Sequence, residues 1–136
     1  MANKIKHGEE AVKRGLEVID RVYGPGYHKT MEPLTDFPYV NETVGNLFAD
    51  VWNRPGLSIR DRRLLVIGAT CMLGRADLIE TQVTGAILNG ELNDEELEEI
   101  ALQMAFYTGW GNTSATWRGI QMAKKAAAEW DKKGDA

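Results

Sequence analysis

Cysteine and histidine are scarce in this chain, and their scarcity restricts the kinds of site it can hold. One cysteine and two histidines occur in 136 residues. A single cysteine forms neither an intramolecular disulfide nor a cysteine-rich metal site, and a catalytic zinc triad of the common kind is not expected. We therefore predict no metal site. Cys71 lies in the apolar run 66–73, so we expect it to be a small buried apolar residue.

Positive charge and long apolar runs are also lacking. The formal net charge is −4, whereas a nucleic-acid surface needs a net basic face. No run reaches the ~20 apolar residues of a membrane span, and residues 1–7 lack the apolar core of a signal peptide. We therefore expect a soluble cytoplasmic protein with neither a nucleic acid nor a membrane as partner.

The length of the chain suits a single domain with one hydrophobic core. We expect residues 1–136 to form it, with a core over about 8–130 and a frayed tail over 131–136. Apolar residues recur at helical spacing, with no alternating strand pattern and no long internal repeat. The prediction is a compact all-α domain of about six helices, near residues 7–23, 38–54, 59–73, 76–88, 94–108 and 112–130.

The first half of this pattern contains a connector and an amphipathic helix. Gly24-Pro25-Gly26 should end the first helix. Residues 27–37 are polar and contain proline, and they predict a loop long enough to have a function of its own. The second helix should direct one set of side chains inward, namely Val44, Leu47, Phe48, Val51 and Trp52.

The third and fifth predicted helices have recognisable beginnings. Ser58 is a capping residue before the third helix, and Asn93 is one before the fifth. Residues 94–96 are acidic, which suits the positive end of a helix dipole. We favour this solvated helix start over a cation site, because a Ca²⁺ loop needs spaced oxygens and a glycine turn. The third helix body, 64–73, is nearly all apolar and is expected at the centre of the core.

Arginines are concentrated around the Pro55-Gly56 turn and at the start of the third helix. They include Arg62 and Arg63, which directly precede the apolar body, so at least one guanidinium should approach the core edge and need a carboxylate partner. Two alternatives stay open: ion pairs with acids of the fourth and fifth helices, and an anionic ligand, which the cluster as a whole favours. The arginines concerned are Arg54, Arg60, Arg62, Arg63, Arg75 and Arg118.

These residues belong to a longer pattern, which resembles the carboxymuconolactone decarboxylase family from about Arg14 to Ala127. The resemblance implies a small all-helical subunit in rings, commonly homo-oligomeric trimers or hexamers, with pockets near subunit boundaries. It also implies loss of CO₂ from a carboxylated muconolactone in aromatic catabolism, without a cofactor. The matching residues are Arg54-Pro55-Gly56-Leu57, Arg60, Arg62, Leu64, Leu73-Gly74-Arg75, Asn89-Gly90, Glu99, Leu102-Gln103, Tyr107, Gly109 and Arg118.

The resemblance breaks where the family carries a histidine. The family pattern E-L-x-x-H-L-x-x-A-L aligns with residues 78–87, and Gln82 stands at the position of the histidine. A glutamine orients a carbonyl group or a water but does not release a proton near neutral pH. If acid–base chemistry persists, the candidates for it are Glu80, Tyr107 and His28.

The related alkylhydroperoxidase branch uses a thiol relay of two cysteines, a histidine and a glutamate. The corresponding residues here are Arg75, Leu78, Gln82 and Arg63, so thiol-dependent peroxide reduction is not expected. The tryptophans divide into two groups. Trp52 and Trp117 are interpreted as core or interface residues, whereas Trp110, between two glycines, is a candidate for a pocket rim or subunit contact.

The first functional hypothesis is a cofactor-independent decarboxylase acting on 4-carboxymuconolactone or a similar small carboxylated lactone. Loss of CO₂ beside an unsaturated lactone requires groups that hold the carboxylates, stabilise a dienolate and return a proton to carbon. Arg62 and Arg75 would grip the carboxylate or enolate oxygens. The predicted catalytic residues are Glu80, Gln82 and Tyr107, and the predicted substrate-binding residues are Arg62, Arg63, Arg75, His28 and Trp110.

Two further hypotheses belong to other classes. The chain is alternatively a diverged member with a changed reaction, such as a hydrolase or isomerase of a related anionic compound, or a non-catalytic binding or assembly protein. Gln82 keeps this alternative open. A purely structural ring would instead have Arg62 and Arg75 fully paired with protein carboxylates.

Overall fold

The computed structural model describes residues 4–134, with side chains described as far as residue 130. Over this range it contains seven α-helices and no strand, which confirms the all-α prediction and slightly exceeds the expected number of helices. No helix in this part of the chain is long and apolar enough to cross a bilayer. The helices are α1 (Glu9–Tyr23), α2 (His28–Met31), α3 (Pro38–Glu42), α4 (Ile59–Met72), α5 (Ala76–Leu88), α6 (Asp94–Thr108) and α7 (Trp110–Gly134), with 3₁₀ turns at Glu32–Leu34 and Val51–Asn53 and a π-helical segment at Thr43–Phe48.

Two compact units make up the chain, one ending at Ile59 and the other beginning at Arg60. In the first unit, α1 packs against the π-helical segment. Phe48 is buried there and stacks on Trp52, with ring centroids 6.0 Å apart. Trp52 is therefore a packing residue, as its aromatic character indicates. The expectation of a single domain stays a prediction.

The π-helical segment changes which side chains face the core of the first unit. The backbone N–H of Ala49 donates to the carbonyl of Val44, five residues back, at 3.1 Å. Such a wide turn rotates the following side chains relative to an α-helix. Val44, Phe48 and Trp52 are buried as predicted, but Leu47 and Val51 are 41% and 38% exposed, so their predicted inward orientation is wrong.

The predicted connector loop at 27–37 is also wrong, because most of it is helical. It contains α2 and the 3₁₀ turn Glu32–Leu34. The ring of Tyr27 packs on Tyr23, with centroids 4.9 Å apart, and the N–H of Tyr27 donates to the carbonyl of Gly24 at 3.1 Å. The chain therefore folds back onto the end of α1 instead of crossing as an open loop.

The second unit is a four-helix arrangement around one apolar cluster. Gly119 of α7 lies against α5 so closely that a Cβ there would be 2.7 Å from the carbonyl oxygen of Ala76, which excludes larger residues at this crossing. Fully burying an aliphatic side chain contributes about 1.5–3 kcal/mol. Cys71 is fully buried, as predicted. The cluster consists of Ile67, Cys71, Ile79, Val83, Ala86, Leu92, Leu97, Ala101, Ile120 and Ala123.

Helix α4 is not surrounded by core, contrary to its all-apolar sequence. Leu65, Met72 and Leu73 are 65%, 59% and 67% exposed, whereas Arg63 is fully buried. Only the face that includes Ile67 packs on the other helices. The expectation of a central α4 is therefore wrong for one chain, because periodicity shows which positions are apolar and not what covers them.

Several predicted boundaries agree with the structure, and one helix is longer than expected. The fourth predicted helix, 76–88, is α5. Helix α4 begins directly after Ser58. Helix α7 begins at Trp110 rather than at 112 and continues to Gly134 rather than to 130. Residues 135 and 136 of the predicted tail lie outside the described residues.

Asn93 caps α6 through a reciprocal pair of hydrogen bonds. Its side-chain oxygen accepts from the N–H of Glu96 at 2.8 Å, and the Glu96 carboxylate accepts from the N–H of Asn93 at 3.0 Å. Both bonds satisfy backbone donors that lack a partner within the helix. The predicted cap is confirmed, and the acidic first turn is a solvated helix start.

Replacing the cap tests its contribution directly. Asn93→Ala should lower the free energy of unfolding by about 1 kcal/mol, because the N–H of Glu96 loses its partner. Urea denaturation followed by circular dichroism measures this change. Asn93→Asp keeps a capping oxygen and serves as the matched control. Equal midpoints for Asn93→Ala and wild type would contradict the assignment.

Candidate functional site

A buried ion pair lies at the centre of the second unit. Arg63 is 0% exposed, and its Nε and Nη2 atoms donate to the two carboxylate oxygens of Glu91 at 2.6 and 3.1 Å. Glu91 follows the turn after α5 and also accepts from the side chain of Asn89 at 2.9 Å. A two-pronged geometry of this kind compensates best for removing both charges from water. The predicted guanidinium at the core edge is Arg63, and its partner is a carboxylate of the protein.

Arg63 also fixes Gln82, the residue that the sequence resemblance aligns with a histidine. Its Nη1 donates to the backbone carbonyl of Gln82 at 2.9 Å and to the side-chain oxygen at 3.2 Å. Gln82 is 5% exposed. Because the amide oxygen accepts from the guanidinium, the amide NH₂ is the group left to donate. Gln82 is therefore suited to orienting a carbonyl group or a water, and it has no proton to release.

Arg75 forms a different kind of pair at the start of α5. Its Nε and Nη2 atoms donate to the Asp77 carboxylate at 2.8 and 2.7 Å, and both side chains are more than half exposed. The hydrogen bond from Arg75 holds the pKa of Asp77 at about 2. Water screens a pair of this kind, so another carboxylate can replace Asp77 at modest cost.

Arg60 joins the start of α4 to the capped end of α6. Its Nη2 donates to Glu96 at 2.7 Å, and its Nε donates to the carbonyl of Glu91 at 3.1 Å. The backbone N–H of Asn93, and after it Arg60, hold the pKa of Glu96 below its usual value. Because the folded pKa is lowered, this stabilisation is present at neutral pH and is lost as acid protonates Glu96.

A groove of about 510 Å³ lies between α4 and α6. Its edge carries carboxylates, and its one arginine, Arg60, is already bonded to Glu96. An acidic edge disfavours a ligand with two carboxylates. Apart from Arg60, which belongs to the predicted arginine cluster, the sequence predicts none of these residues as part of a site, although Glu99 and Gln103 are among those that carry the resemblance. The apolar floor includes Leu64, Ile67, Ile100 and Met104, and the edge includes Glu95, Glu96 and Glu99.

The remaining predicted residues of the second unit are spread over its surface. Arg62 and Glu80 are half-buried. Tyr107 is 75% exposed, and Trp110 is 63% exposed, with its ring edge-on to Phe106 at 5.3 Å. In the described part of the chain, no hydrogen bond joins Tyr107 to Gln82. The structure therefore brings Arg63 and Gln82 together and leaves Tyr107 and Trp110 on the surface.

His28 belongs to the first unit and is bonded at two points. Its backbone N–H and its ring Nδ1 meet the two carboxylate oxygens of Asp20, each at 2.7 Å. The pair lies at a cavity of about 240 Å³ that Lys13, Glu17 and Glu32 also line. Among the described residues, no three histidine, cysteine or acidic side chains are grouped in a way that would hold a metal ion.

Comparison with known proteins adds to this geometry. A model described as the carboxymuconolactone decarboxylase family matches residues 39–121. A protein named 4-carboxymuconolactone decarboxylase, from Acinetobacter baylyi, is 35% identical over 104 residues, which cover 74% of this chain and 77% of that one. The matched segment of the family model includes Arg63, Arg75, Gln82 and Tyr107, and His28 lies before it.

The buried ion pair leads to a stability prediction. Glu91→Ala should lower the free energy of unfolding by about 3–5 kcal/mol, because the Arg63 guanidinium is left buried without its carboxylate. Asp77→Asn removes the partner of an exposed arginine and should change the free energy much less. Urea denaturation of both variants provides the comparison.

A double variant separates the cost of an unpaired charge from the value of the pair. Arg63→Met with Glu91→Leu should be more stable than Glu91→Ala alone, since no charge stays buried. If Glu91→Ala is no less stable than Asp77→Asn, the Arg63 pair does not hold the second unit together.

Proposed function

We propose that this chain, which belongs to the carboxymuconolactone decarboxylase family, is a carboxy-lyase that needs no cofactor. Its proposed substrate is 4-carboxymuconolactone or a similar small carboxylated lactone of aromatic catabolism. The observation that carries the proposal is the 35% identity, over most of both chains, to a protein named 4-carboxymuconolactone decarboxylase. The reaction would take place in the cytoplasm.

Arg62 and Arg75 have the proposed role of gripping the anionic substrate. Arg75 is exposed and its partner Asp77 is a neighbouring carboxylate, so a substrate carboxylate can take the place of Asp77 without leaving a buried charge. Arg62 lies half-buried at the start of α4. Guanidinium groups stay charged at any working pH and bind carboxylates at two points, which suits the ground state and the developing dienolate.

Gln82, Tyr107 and Glu80 have the proposed role of orienting the lactone and moving protons. The NH₂ group of Gln82 is an aligned donor for a carbonyl or enolate oxygen, because Arg63 holds the amide oxygen. Tyr107 and Trp110 are exposed and available for contact with a ligand. Arg63, which the sequence also proposes as a substrate contact, acts through Gln82 in this scheme.

A ring of identical subunits, a trimer or hexamer, is part of the proposal. Its support is the amount of apolar surface that one chain leaves exposed in the second unit. Exposed apolar patches of this kind are typical of protein interfaces. The side chains concerned are Leu65, Met72 and Leu73 around α4, with Leu102, Phe106 and Trp110 on α6 and α7.

The second candidate is a diverged family member. It would be either a hydrolase or isomerase of a related anionic compound or a non-catalytic binding or assembly protein. One observation favours it. Arg63, Gln82 and Glu91 form one hydrogen-bonded group, and none of the three is among the residues that carry the family resemblance. The position of the family histidine is thus part of a buried ion-pair network, whose tight packing suits a structural role.

Turnover of the lactone is the direct test of the first candidate. Purified protein should convert 4-carboxymuconolactone, with loss of ultraviolet absorbance, at the same rate with and without a chelator. A sizing column run beforehand checks that the protein is assembled. An assembled protein without turnover would remove the decarboxylase proposal and leave the second candidate.

The pairing of Arg75 with Asp77 gives a sharper test of substrate binding. Arg75→Gln should raise the KM for the lactone about tenfold through loss of a charge-assisted hydrogen bond. Asp77→Asn should lower the KM, because the guanidinium no longer has a competing carboxylate. Both are measured by initial rates. If the two variants raise the KM alike, Arg75 does not bind the substrate.

A further inference from the structure

We propose that the groove between α4 and α6 binds a small apolar molecule that carries one protonated amine. The groove lies within the second unit, and neither Arg75 nor Gln82, the residues proposed to hold the lactone, lines it. The inference therefore does not depend on the proposed decarboxylation. It rests on the size of the groove, on the charge of its edge and on a glycine in its floor.

The dimensions of the groove suit a small molecule. Its volume of about 510 Å³ falls within the roughly 300–1,000 Å³ typical of ligand pockets. Along α6 it extends from Glu95 to Met104, about 13 Å at the rise of an α-helix, which is too short to seat a long helix of a partner. The floor between these ends is apolar and includes Leu64, Ile67 and Ile100. A ring or short chain of carbon atoms would be removed from water there.

Two carboxylates at the edge select the charge of this molecule. Glu95 and Glu99 lie one helical turn apart on α6, and both line the groove. Within the described part of the chain, neither forms an ion pair, whereas Glu96 is bonded to Arg60 at 2.7 Å. Like charges at this spacing destabilise a helix, and their Cβ atoms are about 5–6 Å apart. A single ammonium group between the two carboxylates would relieve this repulsion.

The groove favours an organic cation over a metal ion. A hard cation such as Ca²⁺ needs roughly six to eight oxygen ligands, and the apolar floor supplies no side-chain oxygen. Among the described residues, no three acidic, histidine or cysteine side chains are grouped in a way that would hold a metal. An ammonium group has three donors. Gln103, one turn beyond Glu99, adds a neutral acceptor to the two carboxylates.

Gly68 keeps the floor of the groove open. It lies within α4, where a glycine is less favourable than an alanine. A Cβ atom at this position would meet only the terminal methyl carbon of Met104, at 3.8 Å, which is an ordinary contact. Gly119 differs, because a Cβ there would lie 2.7 Å from a backbone oxygen. Packing within the chain therefore does not require a glycine at position 68, whereas room for a ligand does.

Three compounds that share a phenyl ring test the chemistry of the ligand. Phenethylamine is positive, phenethyl alcohol is neutral and phenylacetate is negative. Each is titrated into the intact chain labelled with ¹³C in its methionine methyl groups, and the signals are followed by NMR. The amine should shift the signal of Met104 and leave that of Met31, in the first unit, unchanged. It should bind about fivefold more tightly than the alcohol, as expected for a solvent-screened charge pair, and phenylacetate should bind most weakly.

Variants of the edge and of the floor locate the site. Glu95→Gln combined with Glu99→Gln should reduce the affinity for phenethylamine to that for the alcohol, because the charge attraction is lost. Glu98→Gln is the matched control, since it removes a charge from the same helix outside the groove. Gly68→Leu should weaken the binding of amine and alcohol alike, about tenfold or more, because its side chain fills the floor. Its Tm should not fall, since leucine is the better helix former.

Several results would overturn the inference. An unshifted Met104 signal at saturating amine would show that the groove takes no such ligand. Equal affinities for amine and alcohol, or an unchanged affinity in the double glutamine variant, would remove the preference for a cation. If the amine shifts nothing and Gly68→Leu prevents assembly on a sizing column, a second copy of the chain occupies the groove instead. None of these measurements requires turnover of the lactone, so the decarboxylase proposal is tested separately.

Discussion

The second unit depends on one desolvated guanidinium. Arg63 donates from all three of its nitrogens, to both oxygens of Glu91 and to two oxygens of Gln82, and is completely buried. These bonds tie α4 to α5 and to the turn that precedes α6. An unpaired buried charge is strongly destabilising, so the positions of Glu91 and Gln82 depend on that of Arg63.

This constraint explains why a glutamine suits position 82, which the sequence resemblance aligns with a histidine. A guanidinium within hydrogen-bond distance favours a neutral side chain that accepts, and it opposes a second positive charge at the same place. The amide of Gln82 accepts from Arg63 and keeps an NH₂ group for a further bond. An imidazole beside Arg63 would be a poor proton carrier, since its protonated form would be repelled.

The sequence correctly predicts the helices that have clear capping residues and glycine or proline breaks. Its predictions are wrong where tertiary contacts determine the backbone conformation or the exposure of a side chain. Asn93 and the limits of α5 follow from local hydrogen bonding, which residue type reveals. The π-helical segment depends on a backbone bond from Ala49 to Val44 that no side-chain pattern indicates. The family motif shows that Gln82 departs from the expected histidine. The sequence does not show that Arg63 connects Gln82 with Glu91 from the turn after α5, because it gives no distances between these side chains. The spacing of apolar residues also does not predict the exposed face of α4, because it does not show which positions other helices cover.

The arginines differ in how readily a ligand carboxylate can displace their protein partners. The more deeply an ion pair is buried, the more its displacement costs. A carboxylate that displaced Glu91 from Arg63 would leave an unpaired charge in the interior, at a cost comparable to that of the binding itself. At Arg75, the displaced Asp77 would simply be hydrated, because both side chains are exposed. We therefore propose the surface pair as the place where an anionic substrate binds, whereas the buried pair holds the groups around it. Among the arginines that the sequence suggests, solvent exposure therefore separates Arg63, which supports the fold, from Arg75, which can exchange its partner.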